Sequence, residues 1–222
     1  MPAEIAPVAT QLLQILGALL LLTGFATVGS RRAADYINAF AVQSVVLALV
    51  AAVVGYFTGS NHLYVVAGLT LVVKTIGITA ILRAVADRLG EQREVGLLLS
   101  PPVSLLMAAN LTLLAFFASP TVVAPGTFLN EPPLAVSVAL VLMGLFVLST
   151  RHHALAQVVG LLTIENGLFS GAIAIAYGMP LIVEFGILFD ILVAVILLGL
   201  LVMLIERQGL PANTIELRRL RG

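Results

Sequence analysis

The sequence predicts an all-α, polytopic membrane protein with seven transmembrane helices. Three observations lead to this fold class: a shortage of charge, seven long apolar runs, and the distribution of basic residues between those runs. Of the 222 residues, 60% are hydrophobic and only 10% are charged, and the mean hydropathy is +1.13. Because a soluble domain would carry roughly 25% charged residues, this chain has too little polar surface to coat a water-soluble globule.

The seven apolar runs are each close to the ~20 residues that a membrane-spanning helix needs. They cover residues 9–29, 36–57, 63–85, 97–118, 134–150, 154–176 and 181–205. The first run has no basic segment before it and no clear cleavage site after it, so it is interpreted as a retained helix rather than a signal peptide. The fourth carries Pro101-Pro102 near its start, where the first turn of a helix tolerates proline.

The segments between the runs carry the residues expected at helix ends and in loops. They are Ser30-Arg31-Arg32, Thr58-Gly59-Ser60-Asn61, Asp87 to Glu94, Ser119 to Pro133, Arg151-His152-His153 and Gly178-Met179-Pro180. Basic residues occur in the first, third and fifth of these loops and after the last helix, and are absent from the N-terminus and the other loops. Since basic loops collect on the cytoplasmic side, we expect the N-terminus outside and the C-terminus in the cytoplasm.

The helices also predict a parallel repeat. Residues 1–92 form an N-terminal three-helix unit, 93–133 an extra helix and a Pro-rich outer loop, and 134–222 a second three-helix unit with a basic cytoplasmic tail. In each unit a polar residue lies in the second helix (Gln43; Glu165) and an ionisable residue in the third (Lys74; Asp190). Because the extra span restores the starting side, the two units would be related by an axis normal to the membrane.

Lys74, Glu165 and Asp190 are the candidate functional residues, since each lies near the middle of an apolar run. Lys74 is the only lysine in the chain. A charge at the bilayer centre costs ~2.5–3.5 kcal/mol on insertion scales, so such residues usually face a partner or a wet cavity. A lysine and carboxylates at one depth can exchange a proton in small free-energy steps, which predicts a proton pathway. The alternative is a fixed ion pair that holds helices in register.

Three further residues are candidates for the ends of that pathway. Glu184, near the outer end of the last helix, is either an entry site for protons or an interfacial carboxylate. His152 and His153 at the cytoplasmic edge either collect protons, since histidine titrates near neutrality, or are membrane-edge residues beside Arg151.

The sixth helix has two predicted faces. Gly160, Thr163, Gly167 and Gly171 form a stripe of small residues that lets another helix approach closely. At ~100° per residue, Glu165 points away from this stripe and should face a different helix, of this chain or of another subunit. Gln43, Asn110, Gln157 and Asn166 are expected to form interhelical hydrogen bonds or to hydrate a path.

The composition also excludes several kinds of site. There is no cysteine, so the chain can provide neither thiolate ligands for iron–sulfur clusters nor disulfides. No Gly-rich phosphate loop and no H-E-x-x-H motif occur, and no charged block indicates a nucleic-acid partner. We therefore expect no catalytic centre, no cofactor and no metal site in this chain.

The segment R-H-H-A-L-A-Q-V-V-G-L-L-T-I-E-N-G-L-F, from Arg151 to Phe169, resembles component E of the membrane-bound nickel–iron hydrogenases of the formate-hydrogenlyase type, often called hydrogenase 4. The V-V-K-T segment around Lys74 fits the same family. The last three helices are also similar to subunit K of complex I and to the equivalent small subunit of multisubunit cation/proton antiporters, which carry buried glutamates in their second and third helices. Glu165 matches the first of these positions, whereas the region of the second holds an aspartate, Asp190.

The resemblance implies a non-catalytic membrane-arm subunit of a respiratory oxidoreductase in the prokaryotic cytoplasmic (inner) membrane. Implied partners are antiporter-like membrane subunits, other small membrane-arm subunits and a hydrophilic arm with iron–sulfur clusters and, in true hydrogenases, nickel–iron. Glu165 and Asp190 would load protons, and Lys74 would tune them or relay between them, in a complex that moves protons or sodium ions. Two alternatives remain open, a self-sufficient secondary cation/proton transporter and a passive membrane scaffold.

Overall fold

The computed structural model describes residues 5–89, 99–119 and 132–176, and in the last predicted span Gly186, Phe189, 191–197 and Gly199. Every regular element in these ranges is a helix, and six of the helices are long and apolar enough to cross a membrane. The predicted all-α, polytopic fold is therefore confirmed. The described positions of the seventh predicted span are also helical.

The helices closely follow the apolar runs. They are α1 (Ile5–Gly29), α2 (Ala33–Thr58), α3 (Asn61–Leu69), α4 (Thr79–Leu89), α5 (Pro101–Ala118), α6 (Pro132–Thr150) and α7 (Ala154–Ala176). A π-helical segment, Thr70–Ile78, joins α3 to α4, so that the three form one continuous span. The helix of the fourth span begins at Pro101, after the non-helical Leu99 and Ser100, because prolines fit the first turn but disfavour helix before them.

A two-residue connection turns the chain between α2 and α3. Gly59 ends α2 with a φ of 69°, a left-handed conformation that glycine adopts without a steric cost, and its N–H bonds the carbonyl of Gly55. A Cβ at Gly55 would lie 3.0 Å from the Cβ of Leu63 on the next helix. The two spans can therefore cross closely at this end of the bundle.

α6 and α7 are closely packed, because glycines at their contact leave no side chains between the two backbones. A Cβ on Gly144 of α6 would lie 2.7 Å from the carbonyl oxygen of Gly160, and one on Gly167 of α7 only 2.9 Å from the backbone nitrogen of Val141. Ser137 then donates a 2.8 Å hydrogen bond across the pair to the carbonyl of Gly167. The structure thus places the small-residue stripe of α7 against α6, which leaves the opposite face of α7 for other neighbours.

α2 lies at the centre of the described bundle, and α5 at its edge. Fourteen residues of α2 are buried, against three of α5. α1 contacts α6, and α2 contacts α7, so helices with equivalent places in the two predicted units are neighbours. The parallel repeat itself and the outside location of the N-terminus stay predictions.

Candidate functional site

Lys74 lies in the π-helical segment at the middle of the third span. Its side chain is buried. Its backbone carbonyl accepts a 3.2 Å hydrogen bond from the Oγ1 hydroxyl of Thr79, five residues later. π-helical turns are rare and occur frequently at functional sites. β-branched Val72, Val73 and Thr75, which surround the lysine, are weak helix formers, so the local sequence offers little resistance to a widened turn.

An ion pair joins this span to α7. Lys74 Nζ donates to Glu165 Oε1 at 2.6 Å, and the two side chains are 3% and 9% exposed. A charge-assisted bond of this length is short, and it lies where no bulk water competes for either group. The face of α7 that carries Glu165 therefore contacts the third span of the same chain.

Two amides continue this contact into α2. Lys74 Nζ also donates to Asn166 Oδ1 at 3.0 Å, and Asn166 Nδ2 donates to Gln43 Oε1 at 3.0 Å. Asn166 and Gln43 are both fully buried. A lysine ammonium can only donate, so it fixes which way both amides point. Four polar side chains from three spans therefore form one hydrogen-bonded chain at mid-depth.

An aromatic ring and a cavity complete the site. The ring centroid of Phe169, one helical turn after Glu165, is 5.7 Å from Lys74 Nζ, within the range of a cation–π contact. A cavity of about 310 Å³ lies beside it, between α7 and the last span. Its lining residues are Leu161, Ile164, Glu165, Leu168, Phe169, Gly186 and Phe189. Glu165 is the only polar side chain among those lining residues, so the carboxylate faces an apolar space.

Of the other predicted site residues, the two histidines are not brought to this pair. Asp190 and Glu184 lie outside the described residues. His152 is exposed and His153 is half-buried just before α7, about 12 residues and hence ~18 Å along the helix axis from Glu165. No group of three or more His, Asp or Glu side chains that could hold a metal ion occurs in the described ranges.

Arg151 is a buried residue whose role the sequence did not indicate beyond marking a cytoplasmic loop. It is 1% exposed, and its Nη2 donates to the Val28 carbonyl in the last turn of α1 at 2.7 Å and to Ser104 Oγ at 3.4 Å. The hydroxyl of Tyr36 on α2 also faces the guanidinium. A cation at a helix C-terminus satisfies free carbonyls and complements the helix dipole. Arg151 therefore ties together the ends of α1, α2 and α5.

Two of the predicted polar residues have local partners instead of a role at the ion pair. Gln157 Nε2 donates to the Arg151 carbonyl at 2.9 Å, and Asn110 Nδ2 to the Leu106 carbonyl of its own helix at 2.9 Å. Gln157 therefore supports the Arg151 site, and Asn110 lies on the exposed side of α5.

Comparison with known proteins identifies two kinds of relative. An uncharacterized protein of Mycobacterium tuberculosis is 42% identical over 141 residues, which is 63% of this chain and 63% of that protein. Hydrogenase-4 component E of Escherichia coli is 27% identical over 183 residues, which is 82% of this chain and 85% of that protein. The component E of Shigella flexneri gives the same values.

The chain is a distant homologue of hydrogenase-4 component E. The resemblance to component E that Lys74 and the Arg151 to Phe169 segment predicted is thereby confirmed, while the similarity to subunit K of complex I stays a prediction. No family model and no solved structure matches the chain.

Proposed function

We propose that this chain is a membrane-arm subunit of a hydrogenase- or complex I-like oxidoreductase complex of the prokaryotic cytoplasmic membrane. In this complex its buried Lys74–Glu165 pair would help to couple electron transfer to the movement of protons or sodium ions. The homology to hydrogenase-4 component E and the membrane-spanning fold support the first part. The observation that carries the second part is the 2.6 Å contact between two titratable groups at the middle of the bundle.

The geometry of the pair suits reversible proton transfer. A proton moves from Nζ to Oε1 across 2.6 Å, which converts an ammonium–carboxylate pair into an amine–carboxylic acid pair with no change in net charge. Asn166 can accept from Nζ in both states, because a neutral amine keeps two N–H groups. Each state therefore keeps its hydrogen bonds, so neither requires an uncompensated charge in the bilayer.

Further predicted sites would pass the proton onward. We assign Asp190 in the last span as the second proton-loading residue, Glu184 as the outer exchange site, and His152 and His153 as the cytoplasmic one. Since the chain has no cysteine, thiolate-held iron–sulfur clusters and any nickel–iron centre would belong to partner subunits. The partners would be antiporter-like subunits, other small membrane-arm subunits and a hydrophilic iron–sulfur arm.

A passive scaffold is the competing function, and one observation favours it. Lys74 has a carboxylate, an amide oxygen and an aromatic ring around it, which is the environment of a well-satisfied structural ion pair. Such a pair can hold α7 and the third span in register without ever titrating.

Neutralising the carboxylate separates these two functions. In the purified complex, Glu165→Gln should leave assembly and electron transfer intact, because an amide can still accept from Lys74, while the ratio of protons translocated per electron falls. The matched control is Asp87→Asn, which removes an exposed carboxylate at the end of α4. An unchanged proton-to-electron ratio in Glu165→Gln would contradict the proposed coupling and favour the scaffold.

Purification of the tagged chain from native membranes in mild detergent tests the assembly. We expect antiporter-like subunits and iron–sulfur proteins to be identified with it by mass spectrometry, and a large nickel–iron subunit would specify a hydrogenase. A chain that purifies alone, folded and active in cation exchange after reconstitution, would instead identify a self-sufficient transporter.

A further inference from the structure

Phe169 occupies a position that links three parts of the molecule. Its ring centroid lies 5.7 Å from Lys74 Nζ, and the ring also forms part of the wall of the 310 Å³ cavity. One edge of the ring lies beside Gly186 of the last span, where a Cβ would lie 3.5 Å from Phe169 Cδ2 and 3.7 Å from Cε2. A single ring therefore touches the ammonium, the cavity and the last span.

The cavity meets the two members of the ion pair unequally. Glu165 lines it, whereas Lys74 does not and is the more buried side chain, at 3% against 9%. Water that entered this cavity would reach the carboxylate first. The Glu165 carboxylate thus lies on the cavity side of the pair, while Lys74 bonds Asn166 on the interior side.

Apart from Glu165, the described walls of the cavity are apolar, and apolar walls disfavour filling by water. At ~30 Å³ per molecule its volume would hold about ten waters. Apolar constrictions of this kind stop conduction by excluding water. Access of water to the Glu165 carboxyl therefore depends on the arrangement of the side chains that line the cavity.

We propose that Phe169 is a positioning residue that couples the charge of Lys74 to the hydration of this cavity. This inference rests on the proposed function of the Lys74–Glu165 pair. While Lys74 is an ammonium, the cation–π attraction holds the ring in place and the cavity stays dry. When the Nζ–H bond breaks and the Oε1–H bond forms, that attraction disappears and the ring is free to turn.

Turning of the ring then opens the cavity to water. The Glu165 carboxylic acid can give its proton to a cavity water, which leaves a carboxylate and a hydronium ion, and the reverse step reloads it. The proton can thus leave only after it has moved from lysine to glutamate. This order of steps would prevent protons from crossing the membrane while Lys74 and Glu165 are both charged and no electrons are being transferred.

The test uses the purified complex in liposomes, with passive proton permeability measured by a pH-sensitive dye in the absence of electron donor. Phe169→Leu keeps an apolar side chain but removes the π face, and should raise the permeability by about 2- to 30-fold, the range that loss of one cation–π contact corresponds to. It should also shift the pH profile of coupled proton translocation. Phe169→Tyr keeps the ring and should behave like the natural protein.

Two further variants separate the ring from the size of the cavity. Leu168→Ala enlarges the same cavity without removing the ring and should raise the permeability less than Phe169→Leu does. Gly186→Ala adds a methyl group against the ring edge, at ordinary contact distance, and should lower the permeability. A permeability that is unchanged in Phe169→Leu, or equally raised in Leu168→Ala, would overturn the inference.

The same assay keeps this inference distinct from the proposed function. Loss of coupling in Glu165→Gln together with natural permeability and pH profile in Phe169→Leu would overturn only the role of the ring. Full coupling in Glu165→Gln would overturn the proposed function, whatever Phe169→Leu does.

Discussion

The described part of the chain buries two basic side chains, and they have opposite surroundings. Lys74, at mid-depth, bonds the Glu165 carboxylate at 2.6 Å and the Asn166 amide at 3.0 Å. Arg151, at the end of the bundle where α1 and α6 end, bonds the Val28 carbonyl at 2.7 Å and the Ser104 hydroxyl at 3.4 Å. Within the described ranges no carboxylate lies at ion-pair distance from Arg151.

The difference follows from what each side chain can do. Arginine stays protonated in proteins, and its planar fork suits several fixed acceptors at once, so Arg151 is fitted to clamp helix ends. Lysine differs from arginine in that it can lose its proton when buried, and the proposed function requires this of Lys74. The carboxylate partner therefore distinguishes Lys74 from Arg151, and the proposed coupling depends on it.

The largest expected effect comes from breaking the midplane pair. Lys74→Met leaves the Glu165 carboxylate buried without its cation, which should lower the free energy of unfolding by about 3–5 kcal/mol. Thermal unfolding of the purified protein in detergent measures this loss. The double variant Lys74→Met/Glu165→Met should recover most of it, and a double variant as unstable as the single one would contradict the pairing.

A smaller loss of stability is expected when Arg151 is replaced. Arg151→Met removes the donor to the Val28 carbonyl, and the loss of a charged hydrogen bond should cost about 1.5–3 kcal/mol. The yield of assembled complex should fall, but each assembled complex should translocate protons normally. Arg31→Met, which removes an exposed arginine from the same end of the bundle, is the control. A changed proton-to-electron ratio in Arg151→Met would abolish the distinction between the two cations.

The smallest effect is expected at the far end of the polar chain. Gln43→Leu removes the acceptor of Asn166 Nδ2 but leaves both contacts of Lys74 in place, so the loss of stability should be about 0.6–1.5 kcal/mol. Gln157→Leu, near Arg151, removes a half-buried amide contact and serves as the control. A loss in Gln43→Leu as large as that in Lys74→Met would mean that the amides, and not the ion pair, hold these spans together.

Much of the fold could be predicted from the sequence, because the length and composition of the apolar runs indicate which segments are membrane-spanning helices. The depth of Lys74 and Glu165 followed from counting residues along each helix. Their contact did not, since it depends on how the third span and α7 are rotated about their axes, which packing decides. The glycine contacts between α6 and α7 determine part of that rotation.

Other parts of the site had no clear signal in the sequence. A π-helical segment differs from an α-helix by small shifts in backbone hydrogen bonding, and the residues around Lys74 would suit either. Arg151 follows the end of an apolar run, as do loop arginines that remain in water, so its burial could not be distinguished from a topological marker. The roles of Asn166 and Gln43 could not be predicted, because the hydrogen-bond partners of a single amide in a span lie on other helices.

The most direct test of the proposed coupling is the proton-to-electron ratio of the complex that carries Lys74→Arg. Arginine keeps the positive charge and can still bond Glu165, but it does not release its proton in proteins. If the pair works by exchanging a proton, the complex should assemble and transfer electrons while the ratio falls well below that of the natural protein. A natural ratio in Lys74→Arg would show that a permanent cation suffices, and would make Lys74 a clamp like Arg151.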